Sequence, residues 1–341
     1  MSSTTLKDVA KAAGVHPSTA SRALNPATRS VVSDATVSKV RAAADKLNYQ
    51  PHLLARGLRT NRTMTVGIVI PDIENPLFGP IIAGVEERLA ADGYSLLITN
   101  TQQPSEADVD TVVRTLIERR VDGLIVATAR RHDRTVEELV SRETPTVLVN
   151  RTAEGVAIPA VLGDDHAGIG SAIEHLVGLG HNQIGHVAGP STLSTGLARR
   201  HAFDTWIGSS GLDPGAVEEA DWYQVEPGYR AAGALLDRHP GLTAVVAAND
   251  LIALGCYRAA RQRGHRIGET MSVTGYNDVP FMEFVEPALT SVRIPYRRLG
   301  VEAASLLMVV MGGDSSSSLG VQPVRLTPTL SIRASTGPPN R

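Results

Sequence analysis

Cysteine, aromatic residues and long apolar runs are all scarce in this chain of 341 residues. Its single cysteine, Cys256, excludes an intrachain disulfide, and the apolar helical pattern around it favours a small buried side chain over a reactive thiol. No stretch approaches the roughly 20 apolar residues of a membrane helix, and no signal peptide is evident. We therefore expect a cytoplasmic protein with no membrane partner. Aromatic residues make up only 4% of the chain, so any in a polar pocket would carry much of the stacking on a ligand.

Lysine is absent beyond residue 46, and the two signs of charge are concentrated in different parts of the chain. Residues 1–62 contain ten basic and three acidic residues, a net charge of +7, whereas the remainder contains 23 basic and 32 acidic residues, a net charge of −9. The net charge of −2 for the whole chain conceals this polarity. A basic arm on an acidic body is typical of a protein whose N-terminal part binds phosphates.

The N-terminal segment TTLKDVAKAAGVHPSTASRALN, residues 4–25, has the pattern of two short helices joined by a tight turn at Gly14. Pro17 stands where the second helix begins, a position that its fixed φ suits. The face opposite the apolar residues of this helix carries short hydrogen-bonding side chains and one long cation, Arg22. Such a helix suits the DNA major groove. A helical hairpin without a DNA partner would show similar spacing, but the segments that follow favour DNA binding.

Those segments are a third predicted helix over about 34–47, with Ser33 as its N-cap, and LNYQPHLLARGLRT at 47–60. Together with TLKDVAKAAGVHPSTASRALN, the motifs LNYQP and ARGLRT resemble the headpiece and hinge of the LacI/GalR family of bacterial transcriptional regulators. The resemblance extends over nearly the whole chain. It implies a sequence-specific DNA-binding regulator, most often a repressor, that is not an enzyme and needs no cofactor. Because one headpiece makes few base contacts, we expect a homodimer on an inverted-repeat operator in double-stranded DNA.

The resemblance also implies which headpiece residues touch DNA. Pro17, Ser18 and Arg22 would face the major groove, and Arg22 suits a bidentate contact with guanine. His16 replaces the Ser or Thr often found at the helix cap, and its imidazole would contact phosphate or base. The headpiece residues predicted to bind DNA are Thr5, His16, Pro17, Ser18, Thr19, Ser21, Arg22 and Asn25.

A hinge or linker is predicted over residues 51–62, with a short helix at about 52–58. Isolated helices need roughly 12–15 residues to be even marginally stable, so we expect this one to order only when paired with its twin on DNA. By resemblance, Leu58 would enter a central minor-groove step and kink the duplex. The hinge residues predicted to bind DNA are Ala55, Arg56, Leu58 and Arg59.

From residue 65 the pattern changes to short apolar strands that alternate with amphipathic helices. Two successive series of this kind indicate two α/β lobes, each a doubly wound parallel sheet covered on both faces. The predicted fold is therefore an all-α helix-turn-helix headpiece followed by an α/β core of two such lobes. The predicted strands are 65–70, 95–99, 123–127, 146–150, 184–189, 244–248 and 271–276, and the predicted helices are about 78–91, 105–119, 166–179 and 195–208.

The resemblance implies a domain organisation in which a headpiece over 1–50 and the hinge precede a core over 63–341 that is similar to periplasmic sugar-binding proteins. Lobe one would hold about 64–163 and 293–324, and lobe two about 164–292 with the tail. Three crossings between lobes make a hinge, so closure around a ligand is the expected motion. The expected ligand is a small effector, a carbohydrate or a derivative of one, whose binding controls the affinity for DNA.

Candidate effector contacts follow the predicted strands, where ligands of such sheets bind. Arg199 matches the effector-binding arginine of the family, although Ala202 and Phe203 replace the usual Gly-aromatic pair after it. Many family members carry Asp where Asn277 stands, which weakens a specific prediction of a neutral hexose. The predicted effector-binding residues are Asn75, Leu77, Phe78, Asn150 (followed by Arg151), Arg199, Trp222, Asn249 and Asn277.

Several of these residues have ordinary structural alternatives. Arg199 suits a surface ion pair, and Asn249 suits the cap of the helix that follows it. Trp222 fits a hydrophobic core as well as a pocket, and Asn75 fits a turn before a proline. Arg130 and its neighbour Arg131 favour a solvated loop over a site for an anionic ligand.

The sequence does not match the motifs of nucleotide-binding, zinc-binding or catalytic sites, and we predict no catalytic or metal site. Gly168 and Gly170 lack the third glycine of a dinucleotide-binding loop. His181 and His186 do not share a helix face, as a zinc pair would require. An exported solute-binding protein would share the core but not residues 1–62, and an α/β enzyme would need a reactive constellation at the strand ends. The effector's identity and the direction of its effect on DNA binding stay open.

Overall fold

A computed structural model describes residues 4–25, 28–49, 62–101, 106–212, 216–312 and 322–339 of the chain. Two compact units divide the chain at residues 63 and 64. The first unit is helical, and the second alternates strands with helices. Across these described ranges, no helix combines the length and the apolar character that a membrane crossing demands.

The first unit is built from short helices around a small apolar core. Its elements are α1 (Leu6–Ala13), α2 (Pro17–Leu24), a 3₁₀ turn (Arg29–Val31) and α3 (Asp34–Lys46). Val9, Ala20 and Val40, one from each α-helix, are wholly buried between them. The tight turn between α1 and α2 depends on Gly14, whose φ of 65° lies in the left-handed region that glycine adopts without strain.

Local hydrogen bonds fix where these helices begin. In α1, the Thr5 side chain and the Asp8 carboxylate form a capping box. The prediction that Ser33 is the N-cap residue of α3 is confirmed. Ser33 occupies the N-cap position, but its hydroxyl pairs with the Thr36 hydroxyl at 2.9 Å and makes no capping bond to the backbone.

Within the described residues, two six-stranded sheets form the framework of the second unit. The first sheet is wholly parallel, in the order β11-β5-β4-β3-β1-β2, and consists of β1 (Thr65–Ile70), β2 (Ser95–Asn100), β3 (Gly123–Val126), β4 (Thr146–Val149), β5 (Ala160–Gly163) and β11 (Val324–Leu326). The second sheet has the order β12-β10-β9-β8-β6-β7 and consists of β6 (Ile184–Ala188), β7 (Val217–Glu219), β8 (Ala244–Ala247), β9 (Ser272–Asn277), β10 (Thr290–Arg293) and β12 (Thr329–Ser331). β12 pairs antiparallel with β10, so the second sheet has one antiparallel edge.

Helices accompany both sheets. They are α4 (Phe78–Ala91), α5 (Glu106–Glu118), α6 (Arg134–Ser141), α7 (Asp165–Gly178), α8 (Ser194–Ser209), α9 (Val225–Arg238), α10 (Asp250–Gln262) and α11 (Tyr296–Met311). The headpiece and the two parallel-sheet lobes confirm the predicted fold class. The sequence predictions did not include the helices α6, α9 and α11 or the strands β5, β7, β10, β11 and β12. Strands of three residues, such as β7 and β11, are too short to show a periodicity.

The chain crosses between the two sheets three times: after β5, after β10 and after β11. On the second crossing, α11 returns to the first lobe and packs against α4. Two glycines allow the backbones of these helices to meet. A Cβ on Gly84 would lie 1.9 Å from the carbonyl oxygen of Arg297, and a Cβ on Gly300 would lie 2.1 Å from that of Ile81. In sequence, the main segment of the second lobe, from β6 to β10, therefore lies between two segments of the first lobe.

Candidate effector pocket and nucleic-acid interface

A pocket lies between the two lobes, at the carboxyl ends of strands from both sheets. Strands β1 and β4 of the first sheet and β8 and β9 of the second end beside it. The space between its lining residues, counted together with the open solvent at its mouth, is about 450 Å³. Its lining consists of Pro71, Asp72, Asn75, Leu77, Phe78, Asn150, Arg151, Thr195, Arg199, Trp222, Tyr223, Asn249 and Asn277.

The structure brings all eight predicted effector residues into this one lining, and their role in binding stays a prediction. Arg151, which the sequence also places after the fourth strand, is in the lining too. The sequence predictions did not single out Pro71, Asp72, Thr195 or Tyr223. The first three of these follow or face strand ends, and Tyr223 is adjacent to Trp222, so position relative to the strands was the signal that could have found them.

Arg199 is in an ion pair, but the pair is buried rather than on the surface. Its side chain is held by Asp165, with Nε 2.9 Å from Oδ1, and by the carbonyl oxygen of Ala248, which accepts from Nη1 at 2.7 Å. The guanidinium carbon lies 3.8 Å from the ring centroid of Tyr276. Burial is the largest single influence on the pKa of Arg199 and lowers it, but the Asp165 carboxylate and three neighbouring tyrosine hydroxyl groups together outweigh burial, so the pKa is raised. Arg199 is therefore a fixed positive charge at the back of the pocket.

Arg151 is also buried, with 5% of its surface exposed, but its surroundings are different. Its Nε and Nη1 have no hydrogen-bond partner among the described residues. Burial lowers the pKa of Arg151 to about 10, and the positive charges of Arg199 and Arg130 add to that effect against the opposing influence of Tyr223. The group therefore stays charged at neutral pH. Its guanidinium carbon lies 6.0 Å from the ring of Trp222, which is half-buried beside the pocket.

The amide side chains of the lining combine structural and pocket roles. Asn249 does cap α10, because its Oδ1 accepts the N–H of Ile252 at 2.8 Å. Asn75 does form a turn, because its Oδ1 accepts the N–H of Leu77 at 3.1 Å. Both residues also line the pocket, so the structural and functional interpretations hold together. In both amides the oxygen is engaged, which directs the donor nitrogen elsewhere.

Loop residues outside the pocket lining connect the two lobes directly. The backbone N–H of Arg131 donates to the carbonyl oxygen of Thr192 at 3.2 Å, and the Arg131 Nη1 donates to that of Ser191 at 3.2 Å. Its Nε lies 2.7 Å from the Glu154 carboxylate. The predicted solvated loop at Arg130 and Arg131 is therefore wrong for Arg131, which joins the lobes.

In the first unit, α2 has one buried and one exposed face. Ala20 and Ala23 are buried against the other helices, whereas Ser18 and Arg22 are exposed. The Arg22 guanidinium forms no ion pair with any residue in the described ranges. A helix of this kind presents its polar face to a groove without disturbing the core beneath it.

Two predicted DNA-contact residues also cap helices. The Nδ1 of His16 accepts the N–H of Ser18 at 3.3 Å and lies 2.8 Å from the Ser18 hydroxyl, so the ring replaces a Ser or Thr cap. Thr5 caps α1. The predicted hinge contacts Ala55, Arg56, Leu58 and Arg59 lie outside the described residues.

Comparisons with known proteins cover both units. The family model for bacterial regulatory proteins of the lacI family matches residues 5–52, and that for a periplasmic binding protein-like domain matches residues 173–336. The HTH-type transcriptional repressor PurR of Haemophilus influenzae is 33% identical over 335 residues, which cover 97% of this chain and 98% of PurR. The chain belongs to the LacI family.

Solved LacI-type structures resemble this LacI-family chain over nearly its full length. The Lac repressor dimer bound to operator and the anti-inducer ONPF matches with a TM-score of 0.86 and 28% identity over 98% of this chain and all of that one. The complex of the transcriptional regulator CelR with cellobiose matches with a TM-score of 0.73 and 30% identity over 97% of this chain and 99% of that one. The chain is thus a transcriptional regulator of LacI type with a helix-turn-helix DNA-binding headpiece.

Proposed function

We propose that this LacI-family regulator represses transcription as a homodimer on an inverted-repeat operator, and that a small sugar or sugar derivative in the pocket controls its affinity for DNA. In this proposal, residues 1–50 are the DNA-binding headpiece, 51–62 the hinge and 63–341 the effector-binding and dimerisation core. The observation that carries it is the assembly of eight predicted effector residues in one inter-lobe pocket, on a chain that also presents the exposed face of α2.

Support for operator binding comes from the headpiece. Arg22 is exposed and without an ion-pair partner among the described residues, so its guanidinium can engage a guanine edge. The headpiece and hinge together carry a net charge of +7, which favours phosphate contacts. The Lac repressor, which matches this chain over its full length, has been solved as a dimer on operator.

Support for a sugar-type effector comes from the pocket. It combines a half-buried indole ring, Trp222, with amide and guanidinium donors, and such a combination binds one face of a sugar and its hydroxyl groups. CelR, a full-length structural match, has been solved with cellobiose.

Control of DNA binding would come from lobe closure. The contacts of Arg131 with Ser191 and Thr192 join the two lobes, and separation of the lobes would break them. An effector that binds the closed arrangement more tightly than the open one shifts the population towards closure. By linkage, the factor by which the effector changes operator affinity equals the factor by which operator binding changes effector affinity.

A second copy of the chain would cover exposed apolar side chains of the core. Phe281 and Phe284, in the segment after β9, are 66% and 77% exposed. Large apolar residues this exposed and this close in sequence are typical of an interface. A homodimer across this surface would place two headpieces on one operator.

The test is a fluorescence-anisotropy titration of the full chain on the DNA upstream of its own gene. We expect nanomolar to tens of nanomolar affinity for a palindrome in that region, at least about 1,000-fold tighter than for a scrambled duplex at the same salt concentration. A metabolite screen then identifies the effector and measures the direction of its effect. Equal affinity for both duplexes, with and without metabolites, would contradict the proposal.

A further inference from the structure

Two buried arginines line the same pocket, and only one has a counter-charge. Arg199 is paired with Asp165 at 2.9 Å, whereas Arg151 is in no ion pair with any described residue. Among the groups that act on Arg151, Arg199 and Arg130 are positive, and the one that opposes them, Tyr223, is a phenol rather than a carboxylate. A buried charge without a partner is strongly unfavourable in a folded protein. The lining is therefore incomplete at Arg151 unless a bound molecule supplies the missing charge.

The pocket lining contains one acidic side chain, Asp72, but this carboxylate does not supply the negative charge that Arg151 lacks. Asp72 is half-buried, follows β1, and its Oδ1 accepts the N–H of Glu74 at 2.9 Å. No ion pair joins Asp72 to Arg151, and Asp72 is absent from the groups that shift the pKa of Arg151.

The neighbouring amides add hydrogen-bond donors and few acceptors. The oxygens of Asn75 and Asn249 are occupied by backbone N–H groups, and this fixes which end of each amide is oxygen. Their nitrogens are therefore the ends left for a ligand. A pocket of donors around an unpaired cation matches a ligand rich in acceptor oxygens, at least one of them charged.

We propose that the effector is a sugar-sized molecule bearing a carboxylate or a phosphate, and that this anionic group pairs with Arg151. The inference rests on the proposed role of the pocket as the effector site. A carboxylate or a phosphate accepts two N–H groups of a planar guanidinium at once. Such a charged group binds the guanidinium far more strongly than neutral hydroxyl groups do. A neutral sugar would leave the charge of Arg151 buried and uncompensated.

The first test compares each sugar with its own acid and phosphate. The full chain is titrated by thermal shift and calorimetry with glucose, gluconate, glucuronate and glucose 6-phosphate, with the galactose series in parallel, and with inorganic phosphate alone. We expect a sugar acid or a sugar phosphate to raise Tm while its neutral parent does not, and the arm that responds identifies the anion. Equal or larger shifts from neutral parents, no shift from any anionic sugar, or an equal shift from inorganic phosphate would overturn the inference.

The second test removes the charge at one position. Arg151→Gln retains hydrogen-bonding groups without the charge and should bind the responding anion at least about 30-fold more weakly, whereas Arg151→Lys should recover part of that loss. The matched control is Arg142→Gln, which removes an exposed arginine paired with Glu138 on α6 and should bind as the wild type does. Unchanged affinity in Arg151→Gln would overturn the assignment.

A third measurement needs no ligand. If Arg151 is an unpaired cation held for binding, Arg151→Met should raise the Tm of the ligand-free protein, because the buried charge is gone. A lower Tm would show that the guanidinium has a structural role instead.

Operator binding by the wild type, measured both without and with the tested sugars, keeps this inference separate from the proposed function. Specific operator binding together with a response only to neutral sugars would refute the anionic effector and leave the regulator intact. Loss of any palindrome preference would refute the proposed function, whatever the pocket binds.

Discussion

Arg22 shows how much of the proposed DNA selectivity depends on one side chain. It is exposed on α2, on the face opposite the buried Ala20 and Ala23. We predict that Arg22→Ala reduces the preference for the operator over scrambled DNA, because a bidentate contact with guanine contributes about 1–3 kcal/mol of discrimination. Anisotropy titrations on both duplexes measure it, and the Tm of the core should not change. Full selectivity in this variant would show that another element reads the bases.

His186 is the residue from which we expect a distinct pH dependence of stability. It is wholly buried in β6, its Nδ1–H donates to the carbonyl oxygen of Val246 at 2.8 Å, and its ring stacks on Phe203 with centroids 4.8 Å apart. Burial lowers the pKa of His186 to about 4. The folded protein therefore binds this proton less readily than the unfolded chain does. Stability from this group is complete above about pH 6.5 and is lost as the pH falls towards 4.

The predicted loss from His186 between these pH values is at most about 3 kcal/mol in the free energy of unfolding. Urea unfolding at a series of pH values measures it. His186→Gln should be less stable at neutral pH but should show a shallower decline with acid. The exposed His201, changed to Gln, serves as the control and should follow the wild-type curve. Identical pH curves for all three proteins would contradict the prediction.

Among the elements, the crossing of α4 with α11 is the contact most sensitive to a single methyl group. A Cβ on Gly84 would lie 1.9 Å from a backbone oxygen, which can move only if one helix moves. We predict that Gly84→Ala lowers the free energy of unfolding by about 1–3 kcal/mol or more, measured by urea denaturation. Gly79 is on the same helix, and nothing lies within 4 Å of the Cβ that an alanine would add there. Gly79→Ala should therefore be neutral or slightly stabilising, and equal losses in the two variants would refute the packing argument.

The hinge provides a prediction that rests on the sequence alone. If Leu58 enters the minor groove, Leu58→Ala should weaken operator binding while leaving ligand binding by the core unchanged. Anisotropy on the operator and calorimetry with the effector separate these effects. A variant that binds the operator as tightly as the wild type would remove Leu58 from the interface.

How far the sequence predicts an element depends on its length and on how local its interactions are. The long strand β1 and helix α4 follow from periodicity, and Asn249 follows from its position before a helix. By contrast, His16 acts as a cap through a ring nitrogen, which composition does not suggest. The missing partner of Arg151 was also unpredictable, because it depends on which carboxylates the folded chain brings within reach, and those come from segments far apart in sequence.

At the scale of the whole molecule, dimerisation is the property that joins the two functional parts. Phe284 is 77% exposed, and the proposed dimer would bury it. We predict that Phe284→Asp shifts the protein towards monomer in sedimentation analysis and weakens operator binding in parallel, because a charge at an apolar interface is costly. Val140→Asp changes an apolar side chain of α6 that is 38% exposed and should leave the dimer intact. A fully dimeric Phe284→Asp at the same concentrations would place the interface elsewhere.

The three crossings also govern the order in which the core can be completed on the ribosome. The first sheet has β11, residues Val324–Leu326, at its edge, and the helix that packs against α4 ends at Met311. A nascent chain that has exposed β1 to β5 therefore still lacks both the last strand and the covering helix of its first lobe. The interior of that lobe stays partly uncovered until almost the whole polypeptide has emerged, whereas most of the second lobe is already available. We infer that premature termination near residue 290 yields an aggregation-prone fragment rather than a working half.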